Sequence, residues 1–220
     1  MNILKNILDT TQIDGPYFLR NAVLYTLHDT RQRINDSPPR FITLEAGRKG
    51  KRVEMKEQSS FAIHGIEICN NSDSPLFLLD GEICCAGYQD RIVVTSALIK
   101  NHTSKIVPVA CVERGRGTGS SPYFRDSTLA FPSLRAEVAS SLSRNDAHPA
   151  QVTINQEKIW RYVDKSLTTL HIQSNTHSIH DLYKQKKNDI VRYAGGASSK
   201  EGMRGYICGI GNGMLLDIFD

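Results

Sequence analysis

Three apolar runs rich in Val, Ile, Leu and Thr, at residues 76–79, 91–99 and 106–112, follow one another with only short seams of Asn, Asp, Ser, Gly and Pro between them. Runs of that composition bounded by turn formers read as strands. The seams are too short to hold crossover helices, so the strands must pair antiparallel. A fourth run at 61–69, which alternates Ile66 and Ile68 with Glu67, leads through the turn NNSDSP at 70–75 into the same meander. Nothing else in the chain limits the fold as strongly.

Around this meander the chain reads as strands, then helices, then strands. An apolar, β-prone run at 17–27 follows the Gly15-Pro16 break. The stretch 33–40 carries Pro38-Pro39 and must be a loop. Residues 41–46 suit a helical turn or a short strand, and 51–58 alternates as an edge strand would. After a Gly-, Ser- and Pro-rich loop at 117–132 the apolar period changes to that of a helix. Helices are predicted over 134–143, over 155–167 with the stripe Ile159, Trp160, Val163 and Leu167, and over 178–193 behind the capping pattern Ser178 to Asp181. A hairpin of 206–210 and 214–219 about the three-residue loop Gly211-Asn212-Gly213 closes the chain.

The expected fold class is therefore α+β, a largely antiparallel sheet or partly closed barrel with helices packed on one face. A length of 220 residues suits one domain with a β-rich half at 15–116, a helical segment at 132–194 and a closing hairpin at 205–219. Charged residues make up 23% of the chain and the formal net charge is only +4, with no Lys/Arg run dense enough for a nucleic-acid groove; GRKGKR at 47–52 reads as a solvated turn. Five cysteines without a CxxC pair or regular spacing fit reduced, mostly buried thiols. The start MNILKNILDTTQ is too short in apolar residues for a signal peptide, and no run is long enough to cross a bilayer. The expected location is cytoplasmic, without membrane or nucleic-acid partners.

Pairing the runs about their turns gathers charges. If 91–99 pairs with 106–112, and 76–81 pairs with 91 onward around the loop 83–90, then Glu82, Gln89, Asp90, Arg91, Glu113 and Arg116 meet at one rim of the sheet. Two carboxylates, Glu82 and Glu113, suit acid/base work or a divalent cation. Gln89 both donates and accepts, and Arg91 and Arg116 suit a bidentate phosphate clamp, with Asp90 beside them. The same residues also suit plain strand-end ion pairs. The run GRGTGSS at 115–121 lacks the Gly-Lys-Ser/Thr ending of a phosphate loop and reads as a surface loop or lid. His177 and His180, three apart, suggest a metal pair without a visible third ligand, so no metal site is assigned. Cys84-Cys85 beside the rim could include a reactive thiol, whereas Cys111 inside an apolar strand reads as an inert one. Trp160 reads as a core anchor, and Gln156 and residues 174–176 as helix caps.

These motifs resemble a known family. NNSDSP at 70–75, with Asn71, Ser72, Asp73 and Pro75, then Asp80-Gly81-Glu82, Gln89-Asp90-Arg91, and Cys111-Val112-Glu113 with Gly115-Arg116, are similar to the ARG and rhodanese-phosphatase-superfamily-associated protein family. That family is named for its gene association with ADP-ribosylglycohydrolases and rhodanese-like phosphatases. Weaker similarity runs through Leu134-Arg135, Gln156 with Trp160, residues 174–176, and Asp217 and Phe219. Gly117 stands where the family pattern has Trp, which takes an aromatic platform from the rim. The family pattern also continues past the last strand, where this chain stops, so a shortened or divergent member is expected.

The resemblance implies a role in the metabolism or sensing of ADP-ribose or other NAD-derived nucleotides. An enzyme would use Arg91 and Arg116 on phosphate and Glu82 or Glu113 as base or cation ligand. A non-catalytic nucleotide sensor would use the same rim, and a protein-interaction module would use the helical half to hold a partner. The cofactor stays undefined at this level.

Overall fold

The computed structural model describes residues 5–6, 9–30, 41–58, 65–116, 121–145, 148–195 and 202–218. They form two compact units, Pro39–Gln185 and a smaller one of Met1–Pro38 with Lys186–Asp220. The loop expected at 33–40 and the first part of the run at 61–69 lie largely outside the described residues, as does Gly117.

In the smaller unit the apolar run expected as one strand is a hairpin of β1 (Thr11–Leu19) and β2 (Ala22–Asp29). Leu19 pairs with Ala22, and Arg20 takes a left-handed φ of 54° in the turn. Asn21 is the lone turn former there, and the apolar residues continue on both sides, which hides the reversal. Two strands from the chain's other end, β14 (Met203–Ile210) and β15 (Gly213–Ile218), complete a four-stranded antiparallel sheet in the order β1-β2-β14-β15. Ile210 pairs with Gly213, so the closing loop holds two residues rather than three, and Gly211 supplies the φ of 55° it needs.

The larger unit carries the meander. Its six-stranded sheet runs β11 (Asp126–Leu129), β7 (Glu82–Cys85), β8 (Arg91–Val93), β10 (Thr103–Cys111), β5 (Gly65–Asn70), β4 (Val53–Glu57), antiparallel throughout. Just before β11 the chain bridges back to the far edge: Glu57 N donates to Pro122 O at 2.8 Å and Phe124 N to Met55 O at 3.0 Å. The sheet is thereby a partly closed barrel. A three-stranded sheet of β3 (Ile42–Thr43), β6 (Leu76–Leu78) and β9 (Ala97–Ile99) adjoins it in sequence, with β3 and β6 parallel. Residues 41–46 are both of the things expected, since β3 runs straight into helix α1 (Leu44–Lys49). Arg48 on that helix pairs with Asp126 at 3.2 Å, so the basic run at 47–52 is not wholly solvated.

The pairing assumed for 76–81 is corrected by this arrangement. β6 pairs with β9, and β7 within the supposed loop 83–90 is the strand that pairs with β8. The run 91–99 is therefore two strands in two sheets, broken at residues 94–96.

Alternation along the strands fills two cores. Cys84, Val93, Val107 and Val109 join Met55, Ile66, Ile68 and Phe124 in one. Ile83, Cys85, Ile92, Ala110 and Val112 face the other, which the helices complete. Strands buried on both faces read as continuous apolar runs, which is how they appear in the sequence. Helix α2 (Pro132–Ser140) contributes Leu134 and Val138, α3 (Gln156–Thr169) contributes Ile159, Val163 and Leu167, and α4 (Ile179–Gln185) contributes Ile179 and Leu182. Pro132 opens α2 and the Asn155 side chain caps α3, as position-specific preferences dictate. The helix expected over 178–193 is two, α4 and α5 (Lys187–Ala194), and α5 belongs to the smaller unit. A hairpin of β12 (Leu142–Asn145) and β13 (His148–Ile154) lies between α2 and α3, where no strand was expected.

A buried ion pair stands among the barrel strands. Arg91 Nε lies 3.1 Å from Glu57 Oε1 and Nη2 3.4 Å from Oε2, and Nη1 also meets Cys111 Sγ. Both charged side chains are nearly excluded from solvent. Removing one partner leaves the other's charge uncompensated, at a cost of about 3–5 kcal/mol. Glu57→Ala is expected to lower unfolding free energy in urea by that amount, and the double change Glu57→Leu with Arg91→Met to recover most of it.

Glu82 sits at the opposite end of the β7–β8 hairpin from Asp90, beside a cavity of about 400 Å³ lined by Phe77, Leu79, Thr128 and Leu129. Burial pushes its carboxyl up to about 7, opposed only by the hydrogen bond from Leu79 N. A carboxyl raised in the folded state binds its proton there while the unfolded chain has released it. Stability therefore falls as pH rises from about 4.5 to 7, by up to roughly 3 kcal/mol from this group, and the loss is complete above 7. Glu82→Gln is expected to flatten that slope and to be more stable than the parent at pH 8. The same change in urea-unfolding free energy between pH 5 and pH 8 in parent and variant would contradict it.

Candidate functional site

The site is built where three segments of the larger unit meet: the turn between β7 and β8, the end of β10, and the entry to α4. Val112 N donates to Asp90 O at 3.0 Å, which carries the sheet pairing one step past β10. Beyond that point the chain turns to the helical side. Ile179 N bonds Val112 O at 3.1 Å, and Arg114 N and Gly115 N share Thr176 O at 3.1 and 2.8 Å. Gly115 suits this close approach, because a Cβ there would stand 3.1 Å from Thr176 Cα, a tight contact.

The Asp90 carboxylate ties the three segments together. Oδ1 accepts from Ala86 N at 3.0 Å and Arg116 Nη2 at 2.9 Å, and Oδ2 accepts from Ser178 Oγ at 2.6 Å. Glu113 Oε2 accepts from Asp90 N at 2.9 Å and pairs with the same Arg116 Nη2 at 2.7 Å. Asp90 and Glu113 are 3% and 2% exposed, so two buried carboxylates share one guanidinium. Gln89 Nε2 bonds Arg116 O at 3.1 Å and fixes the backbone from which that guanidinium hangs. Arg116 Nε is buried without a hydrogen-bond partner.

Asp90, Glu113 and Arg116 form one wall of a cavity of about 570 Å³, a size usual for small-molecule sites. The facing wall carries Asn175, His180, Asp181 and Lys184. His180 Nδ1 lies 4.0 Å from Asp90 Oδ2. Ser178 Oγ, besides donating to Asp90, accepts His180 N at 3.0 Å and so caps α4. Asp181 does not complete a capping box: Ser174 Oγ donates to it at 2.7 Å, and Lys184 lies 3.7 Å away. The cavity thus offers carboxylates and cationic groups a few ångströms apart.

Of the six residues expected at one rim, Gln89, Asp90, Glu113 and Arg116 come together. Arg91 does not. As the next residue along a strand it faces the other way, into the barrel and Glu57. Glu82 is also absent, because β7 pairs with β8 and leaves it at the far end of that hairpin. Ser178, His180 and Lys184 were missed as members of the site, since they follow the meander by more than sixty residues and nothing local announces the contact. His177 and His180 do not form a pair: His177 Nδ1 binds Asp164 Oδ1 at 2.7 Å while His180 turns to Asp90.

Other polar expectations change as well. The Gln156 side chain is no cap. Its amide pairs with both backbone groups of Cys111, accepting from N at 2.8 Å and donating to O at 2.7 Å, and so extends the sheet edge. Trp160 lies outside both cores, with the Arg114 guanidinium 5.4 Å from its ring centre. Cys84, Cys85 and Cys111 are buried and unbridged, and burial raises each thiol above its ordinary range. The segment 117–120 of the glycine-rich run lies outside the described residues. Among the described residues no helix is long and apolar enough to cross a membrane.

Comparison with curated proteins and with solved structures gives no match. Comparison with protein families matches residues 10–220, nearly the whole chain, to the ARG and Rhodanese-Phosphatase-superfamily-associated Protein domain. With the motif residues Asp90, Glu113 and Arg116 at one cavity, and the match covering residues 10–220, the chain belongs to that family.

Proposed function

We propose that the cavity beside Asp90, Glu113 and Arg116 is the ligand site of this domain, and that it takes a small phosphorylated ligand of the nucleotide or ADP-ribose class. The observation that carries this reading is the mixed lining. Arg116, Lys184 and His180 suit a phosphate, while Asp90, Glu113, Asp181 and Asn175 suit the hydroxyls and amide of a ribose or nicotinamide portion. A ligand bearing only one of these chemistries would leave half of the lining unused. The family's gene association with ADP-ribosylglycohydrolases favours the same class.

Within this reading Arg116 holds phosphate, oriented by Asp90, Glu113 and Gln89, and His180 stands at the cavity wall beside the ligand. Glu113 both lines the cavity and holds Arg116, and neither Glu82 nor Arg91 has a role at this cavity. Turnover and sensing use the same contacts and differ in whether product forms.

A panel of NAD, ADP-ribose, ADP, AMP and ribose phosphates, read by thermal shift with product analysis alongside, tests the proposal. At least one phosphorylated member is expected to raise the melting temperature, and Arg116→Ala to weaken its binding by roughly 10–100-fold, the worth of about 1.5–3 kcal/mol for a charged hydrogen-bonded contact. Ribose and nicotinamide alone should give little shift. A panel with no stabilising member, or an Arg116→Ala protein that binds as before, overturns it.

A further inference from the structure

At the inner end of the same cavity three ligating atoms converge from three separate elements. Cys85 closes β7, Asp90 ends the turn that follows it, and His180 stands in the first turn of α4. One ligand atom from each lies within 4.8 Å of the others. Cys85 and Asp90 are buried and the His180 side chain is 18% exposed, so the group lies between the core and the cavity.

Two independent observations go beyond proximity. The first is charge. Asp90 and Glu113, both buried, share the one guanidinium of Arg116, and the His180 imidazole stands 4.0 Å from Asp90 Oδ2. The second is that, among the described residues, the Cys85 thiol is held only by a long hydrogen bond, to Ile83 O at 3.9 Å. A polarisable, weakly held sulfur beside a buried carboxylate and an imidazole is a donor set that suits a metal ion.

We propose that Cys85, Asp90 and His180 form a three-ligand site for a divalent transition metal, with zinc the ion its donors fit best, and with the fourth position open to the cavity. On binding, the Cys85 S–H bond breaks, its proton passes to solvent and an S–metal bond forms. The Asp90 carboxylate and the new thiolate then balance the ion's two positive charges. Thiolate and imidazole donors select zinc over magnesium or calcium, and three protein ligands with one open position is the arrangement of catalytic rather than structural zinc. Bonds of roughly 2.0–2.3 Å ask the three atoms to draw together by about 1 Å, within reach of side-chain rotation on His180. The contacts of Asp90 with Ala86 N, Arg116 and Ser178 would then serve as the outer shell that orients a ligating carboxylate. The site stands on these residues alone and does not depend on which organic ligand the cavity takes.

The test uses the full chain, stripped with a chelator and reloaded with Zn²⁺ or Co²⁺. One equivalent of zinc per chain is expected to survive dialysis. The Co²⁺ form should show a thiolate-to-cobalt charge-transfer band in the near ultraviolet, together with the visible bands of a four-coordinate ion. Cys85→Ser should lose the charge-transfer band, and His180→Ala should weaken zinc binding by more than about 10-fold. Cys69→Ser and Cys208→Ser should keep both properties. Because Cys85 is buried, His180→Ala provides the second arm if the serine variant fails to fold. Retention of no metal, a band that survives in Cys85→Ser, or unchanged affinity in His180→Ala overturns the proposal. None of these readouts involves a nucleotide, so failure here and failure of the nucleotide reading remain distinct.

Discussion

The Asp90 carboxylate is a charge that the fold has removed from water and must therefore satisfy from within. It does so with a backbone N–H from its own turn, a guanidinium from beyond β10 and a hydroxyl from the entry to α4. A hydrogen bond to a charged group contributes about 1.5–3 kcal/mol, and stranding such a charge costs more. These three segments, far apart in sequence, are held together because the carboxylate needs all of them. The cavity exists where they meet.

The barrel makes that burial possible. Neighbouring strand residues face opposite ways, so consecutive residues Asp90 and Arg91 serve different ends. One reaches the cavity and the other enters the barrel to pair with Glu57. The same alternation sends Cys84 to one core and Cys85 to the other, beside Asp90. Several family motif residues are accounted for by fold alone. Asn70 Nδ2 binds Ser74 O, Ile99 O and Lys100 O, and its Oδ1 accepts from Ser72, which fixes the turn at 70–75. Gly81 has a φ of 92° and leaves room for Arg135, whose Cγ would otherwise stand 2.4 Å from a Cβ. The motif residues Asp90, Glu113 and Arg116 are the ones that reach the cavity.

The strand meander and the α+β class were legible because both depend on short-range patterns: apolar period, turn formers and connection length. The clustering of Gln89, Asp90, Glu113 and Arg116 was legible too, since one hairpin pairing brings them together. What failed needed knowledge of which strand pairs with which. Residues 76–81 and 82–85 are both apolar enough to partner β8, and choosing the wrong one placed Glu82 at the wrong end. Side-chain direction at Arg91 depends on register, where a one-residue difference reverses the face. Ser178 and His180 were hidden for another reason. A serine at a helix entry is explained by capping, and Ser178 does cap α4, so its second bond to Asp90 leaves no mark in the local sequence.

Hydrogen exchange on Asp90→Asn measures most directly whether this carboxylate joins the three segments. The amides of Ala86, of residues 112–115 and of residues 178–180 are predicted to lose protection together, by roughly tenfold or more for a loss of about 1.5 kcal/mol, while those of β5 and β4 keep theirs. Loss confined to the turn at 86–90, with the 112–115 and 178–180 amides as slow as in the parent protein, would contradict the account.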